Sequence, residues 1–148
     1  MTSCGPYSEA TLIYEPIEKT VIASVAAPGS VLEVIATEYP NWLKLIERAN
    51  LTRLYDGYPC TVFVCANYLF NESLPIATAY EMCRSSTLSR KIDARSLLCA
   101  TLILNTMSPQ NNLLITKNNT RVMVNGANII ATIDCNESIV HVTDQTIW

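Results

Sequence analysis

The one histidine of the chain, His141, sits in the β-like run Ser138–Gln145, with Asp134 before it and Asp144 after it. An imidazole oriented by a carboxylate is the usual makeup of a general base, and a histidine near carboxylates also suits a metal. Strand alternation tests both ideas. It places Ile139, His141 and Thr143 on one face and Val140, Val142 and Asp144 on the other. His141 and Asp144 then diverge, which argues against a dyad. Asp134 could approach only through strand pairing, which the sequence leaves open. A titratable group needs a specific partner in a cleft before catalysis is credible. His141 therefore reads as a structural residue.

The cysteines offer a second chemistry. They are Cys4, Cys60, Cys65, Cys83, Cys99 and Cys135. Cys60 and Cys65 flank a continuous apolar run, and Cys135 follows Asp134, whose charge opposes a thiolate. No Cys-x-x-Cys pair occurs, so zinc has no spacing to use. An even number of cysteines invites a disulfide framework. A chain this long and this apolar does not need one, and we read the cysteines as reduced core thiols. Glycines stand only at positions 5, 29, 57 and 126, so there is no phosphate loop, and no Gly-x-Ser-x-Gly elbow occurs. The expectation is a protein that is not an enzyme, with no cofactor and no metal.

The bulk composition narrows the class. The chain has 148 residues, is 49% hydrophobic and 16% charged, and carries a net charge of −3. That is ample material for one packed domain. Lys and Arg are scattered, so nucleic acid is excluded as a partner. The first twenty residues lack the basic-then-apolar order of a signal peptide. The apolar window from Thr20 to Ala36 is broken by Pro28-Gly29, and the one from Ser96 to Leu104 is too short to span a bilayer. No transmembrane segment is expected, and the chain reads as made in the cytosol. Asn-x-Ser/Thr sequons at Asn50, Asn71, Asn118 and Asn136 matter only if it enters a secretory lumen.

The elements that must position these residues follow in order. Residues 1–28, with Pro16, Pro28 and many β-branched side chains, read as an extended arm. The arm either docks on a neighbour, through Tyr14 and the Ile17-Glu18 step, or covers its own sheet. Residues 29–148 form the domain proper. Ser30 caps a first helix, Pro40 breaks it, and Trp42, Leu43, Ile46 and Ala49 mark a second. Cys60–Cys65 is a strand buried on both faces. Asn67 then caps a helix ended by Pro75, and a polar connection from Ile76 to Arg90 holds a short helix around Tyr80–Arg84. Asp93 caps a central, buried helix through Ile92–Met107. The rest is β-like, with Asn118-Asn119 and Asn125-Gly126 as turns. Helices in the middle and strands at the end make the class α+β.

These residues resemble the fasciclin (FAS1, or beta-Ig-H3) domain family over about Gly29–Trp148. The first motif is Thr61, Val62, Phe63, Asn67 and Phe70. The second is the Val-Asn-Gly-Ala stretch holding Asn125 and Gly126, with the closing strand that holds His141 and Asp144. The resemblance implies helices packed on a small mixed β-sheet or wedge built largely from C-terminal strands, with His141 hydrogen-bonding locally. The family's Tyr-His pair is replaced here by Ala100-Thr101, so its adhesive properties do not carry over.

The functional expectation is a non-enzymatic structural or protein–protein interaction module, a minor component of a larger assembly such as a viral capsid. Other proteins of that assembly would be its partners, met through residues 1–28 and through Trp148 as an exposed aromatic anchor. One alternative is a secreted or surface cell-adhesion protein exported by an unrecognised route. A second is a small-molecule or lipid-binding module using a cleft between helices and sheet.

Overall fold

The computed structural model describes residues 29–98, 102–118 and 121–148. The expected arm, with Tyr14, Ile17 and Glu18, lies outside the described residues, as do Cys4, Cys99, Ala100-Thr101 and Asn119.

The chain is α+β. Helix α1 spans Val31–Glu38, and Ser30 caps it as expected, its Oγ accepting the amide of Glu33 at 3.1 Å. Pro40 ends that helix by opening the next. It stands at the first position of α2, Pro40–Arg48, where a missing N–H costs nothing. A short 3-10 turn, Thr52–Tyr55, leads to strand β1, Thr61–Cys65, in which all five residues are buried. Helix α3 spans Ile76–Ser85 and runs into the two-residue strand β2, Thr87–Leu88. Helix α4 is Ala94–Leu98. Five strands follow: β3 (Leu102–Asn105), β4 (Asn112–Asn118), β5 (Arg121–Val124), β6 (Ala127–Asp134) and β7 (Ile139–Thr143).

The seven strands make one sheet in the order β2-β1-β7-β6-β5-β4-β3. Only β1 and β7 run parallel; every other neighbouring pair is antiparallel. The sheet curls until its ends approach, and the amide of Met107, just past β3, donates to the carbonyl of Thr87 in β2 at 2.8 Å. Apolar residues fill both sides of the curl. Val62 and Val64 of β1, with Val140 and Val142 of β7, pack outward against Ile35, Trp42, Leu45 and Ile46 of α1 and α2. Phe63 points the other way, into the inner cluster with Leu104, Leu113, Ile115, Val122 and Val124. Alternation along β1 thus serves two cores at once.

Two expected helices are corrected. Residues 66–74 form turns rather than a helix capped by Asn67, and Pro75 precedes a helix rather than ending one. The local groups are satisfied without helical bonds. The Asn67 carboxamide oxygen accepts the Cys65 S–H at 2.9 Å, Asn71 closes an Asx turn on Ser73, and Arg48 donates to the carbonyls of Glu72 and Leu74. The central helix does not run through to Met107 either. Asp93 caps as expected, its carboxylate accepting the Ser96 amide at 2.8 Å, but the helix is described over Ala94–Leu98 and Leu102–Asn105 is strand. Pairing with β4 buries Leu104 inward and leaves Ile103 outward, a period-two pattern that overrides the helical reading of a leucine-rich run.

Candidate functional site

The two sequence motifs meet in space. The parallel β1–β7 ladder sets Thr61 opposite Ile139 and Phe63 opposite His141. The rings of Phe63 and His141 stack with centroids 5.3 Å apart. His141 is fully buried, with both ring nitrogens engaged. Nε2 lies 2.8 Å from the carbonyl oxygen of Ile92, so Nε2 carries the hydrogen. Nδ1 then accepts from the Thr132 hydroxyl at 3.0 Å. Burial pushes the imidazole pKa down to about 4, against the opposing pull of the Ile92 carbonyl and the Asp93 charge. A neutral ring saturated with hydrogen bonds and sealed from solvent is a brace.

Thr61 works on the same segment from the neighbouring strand. Its hydroxyl donates to the carbonyl of Arg90 at 2.6 Å and accepts the amide of Ile92 at 2.8 Å. Thr61 and His141 together therefore fasten the link between β2 and α4 across the inner core. Neither carboxylate near His141 in sequence reaches it. Asp144 accepts the amide and side-chain nitrogens of Asn128 at 3.0 and 2.9 Å. Asp134 pairs with Lys91 at 2.8 Å and accepts the Asn136 amide at 2.9 Å.

The remaining motif positions are also fasteners. Asn125 lies in the left-handed region at φ +49°, its side chain accepting the Leu114 amide and donating to the Ile147 carbonyl, each at 2.8 Å. Gly126 follows at φ +87°, completing the turn between β5 and β6. Phe70 lies under the Arg48 guanidinium, 5.3 Å from ring centroid to cation. Glu81 was not legible in the sequence as a fastener. It accepts from Ser108, Ser85 and Asn111, tying the β3–β4 connection to α3, and the Ser108 bond chiefly lowers its pKa.

Cys60, Cys65, Cys83 and Cys135 are all free and buried. Burial raises every one of these thiols, to about 11 for Cys60 and about 12 for Cys83 and Cys135. At Cys135 the Asp134 charge adds to burial, as the sequence order suggested. Among the described residues, no three of His, Cys, Asp and Glu converge as metal ligands, and no helix is long and apolar enough to cross a membrane.

The surface feature with chemistry lies elsewhere. Trp148, 45% exposed, rests on Trp42 with ring centroids 5.5 Å apart, and both contact Tyr68, at 6.5 and 5.2 Å. Trp148 is thus an exposed aromatic on a rigid base; Trp42 is core. Beside them opens a cavity of about 60 Å³ lined by Glu38, Tyr39, Pro40, Asn41, Trp42, Cys65, Ala66 and Tyr68. Trp42 Nε1 has no hydrogen-bond partner and is sealed from solvent. Nothing in the spacing of Tyr39, Trp42, Tyr68 and Trp148 announced this cluster, because it forms only when α2, the β1 exit and the C-terminus meet. Compared with protein-family models and with curated proteins, the chain finds no match.

Proposed function

We propose that this chain is a non-enzymatic, FAS1-like interaction module, made in the cytosol and serving as a minor structural component of a larger assembly such as a virion. The in-register pairing of the two sequence motifs across β1 and β7 supports the family reading. The observation that carries the functional reading is Trp148: a large aromatic ring held in place by Trp42 and Tyr68, yet left half open to solvent. Interface hot spots favour such residues, because a preordered ring loses little entropy on contact. The polar groups of the motifs are consumed in holding the fold, so the reading assigns them no chemistry.

The test is sedimentation of the native protein from its source beside a Trp148→Ala variant of unchanged fold. Co-sedimentation with a large particle, at unmodified mass and weakened in the variant, is the expected result. A slow-sedimenting species carrying glycans on Asn50, Asn71, Asn118 or Asn136 would return the chain to extracellular adhesion.

A further inference from the structure

The cavity beside Trp148 has a definite chemical character. Half-buried Tyr39 and Tyr68, buried Trp42 and exposed Glu38 are among the residues that line it. Trp42 is buried and its Nε1 sealed, so it backs the cavity and offers no hydrogen bond there. Among the described residues, Glu38 has no ion pair or hydrogen bond to its carboxylate. Burial raises the Tyr39 hydroxyl pKa, and the charge of Glu38, its neighbour in sequence, adds to that. Aromatic faces with negative potential around a small recess attract a cation with an apolar stem.

We propose that this recess receives the protonated side chain of a lysine from a protein partner, with the ammonium at Glu38 and the methylene stem against Tyr39 and Tyr68. The charge is complementary. About 60 Å³ holds a few water-sized groups, enough for an ammonium head and its nearest methylenes. Trp148 stands at the side of the recess, where a partner chain delivering the lysine would lie across it. This inference rests on reading that face as an interface.

The chain has two tryptophans, and both belong to this cluster, so the two indole N–H resonances in a ¹H–¹⁵N spectrum report on the site alone. The full chain is titrated with doubly capped lysine, and separately with capped norleucine and capped arginine. Lysine should shift these resonances saturably, with an affinity on the order of millimolar for an isolated side chain. Norleucine, which keeps the stem and lacks the charge, should not. Glu38→Gln should weaken the lysine response about fivefold without moving the thermal midpoint, as an exposed charge requires. Equal shifts with norleucine, a stronger response to arginine, or a response indifferent to Glu38→Gln would each overturn the proposal. No lysine response, in a protein whose particle association still depends on Trp148, would overturn the lysine site and leave the interface standing.

Discussion

The Nε2–H of His141 is 2.8 Å from the carbonyl oxygen of Ile92, a contact between β7 and the link into α4, 49 residues apart in sequence. It makes a buried imidazole part of the fold's closure and gives stability a pH dependence with a definite sign. The folded pKa is lowered to about 4 from 6.5, so between those values the unfolded chain binds a proton that the folded one does not. Stability is complete above about pH 6.5 and falls as pH drops toward 4. At about 1.4 kcal/mol per unit the loss is about 3 kcal/mol across the window. The lowered carboxyls of Glu81 and Asp93 add their losses only below their ordinary values of 4.5 and 3.8. Urea denaturation between pH 5 and 7.5 should show this slope, and His141→Gln should flatten it on a lower baseline. A flat wild-type profile would rule out a buried neutral ring.

Thr61 supplies the companion prediction. Thr61→Val keeps the shape of the side chain and removes the hydroxyl, taking the partner from the buried Ile92 amide and from the part-buried Arg90 carbonyl. The cost is about 2 kcal/mol. Thr61→Ser keeps both bonds and loses a buried methyl, about 1 kcal/mol. Hydrogen exchange distinguishes them: the Ile92 amide should lose protection in Thr61→Val and retain it in Thr61→Ser. Equal protection in both would show that the segment is held by packing alone.

The parts of the fold legible in the sequence are those set by local grammar. Ser30 as a cap, Pro40 between two helices, the doubly buried β1 and the Asn125-Gly126 turn needed only short-range reading. Leu102–Asn105 misled because a leucine-rich run is helical by propensity and strand only by pairing with β4. The loop after β1 misled because Asn67 can cap a helix or accept a thiol, and its neighbour Cys65 decides. Alternation already turned His141 away from Asp144, while its local hydrogen bonding was expected only from the family resemblance. Its partners Thr132 and Ile92 were not legible, since they depend on the β6–β7 register and on a loop from another part of the chain. The recess at Glu38 and Tyr68 was invisible for the same reason.

Asn125 separates side-chain bonding from backbone strain. Asn125→Ala loses two hydrogen bonds and forces a Cβ residue to hold φ +49° without Asn's local support, for a total of about 3 kcal/mol. Asn125→Gly loses the same bonds while relaxing the strain, so it should cost about 1 kcal/mol less. At Gly126 a Cβ would meet nothing within 4 Å, so any loss in Gly126→Ala comes from φ +87° alone, about 1 kcal/mol. Thermal denaturation of the three variants gives the order directly. If Asn125→Gly proves no better than Asn125→Ala, strain is not part of the cost.

Thiol reactivity tests the core itself. A raised pKa lowers the thiolate fraction, and burial blocks the reagent, so both factors act in the same direction on Cys60, Cys83 and Cys135. Cys65 differs: it lines the small cavity, and its thiol is raised less far, with the Asn67 contact opposing burial. Iodoacetamide at pH 8 followed by peptide mapping should label Cys65 before the other three, which react only at the rate of global unfolding. Adding urea below the midpoint should speed Cys60, Cys83 and Cys135 in parallel, because β1, α3 and the β6–β7 turn share one outer core cluster. Early labelling of Cys83 alone would mean that α3 opens independently of the sheet and that the outer core is not one cooperative unit.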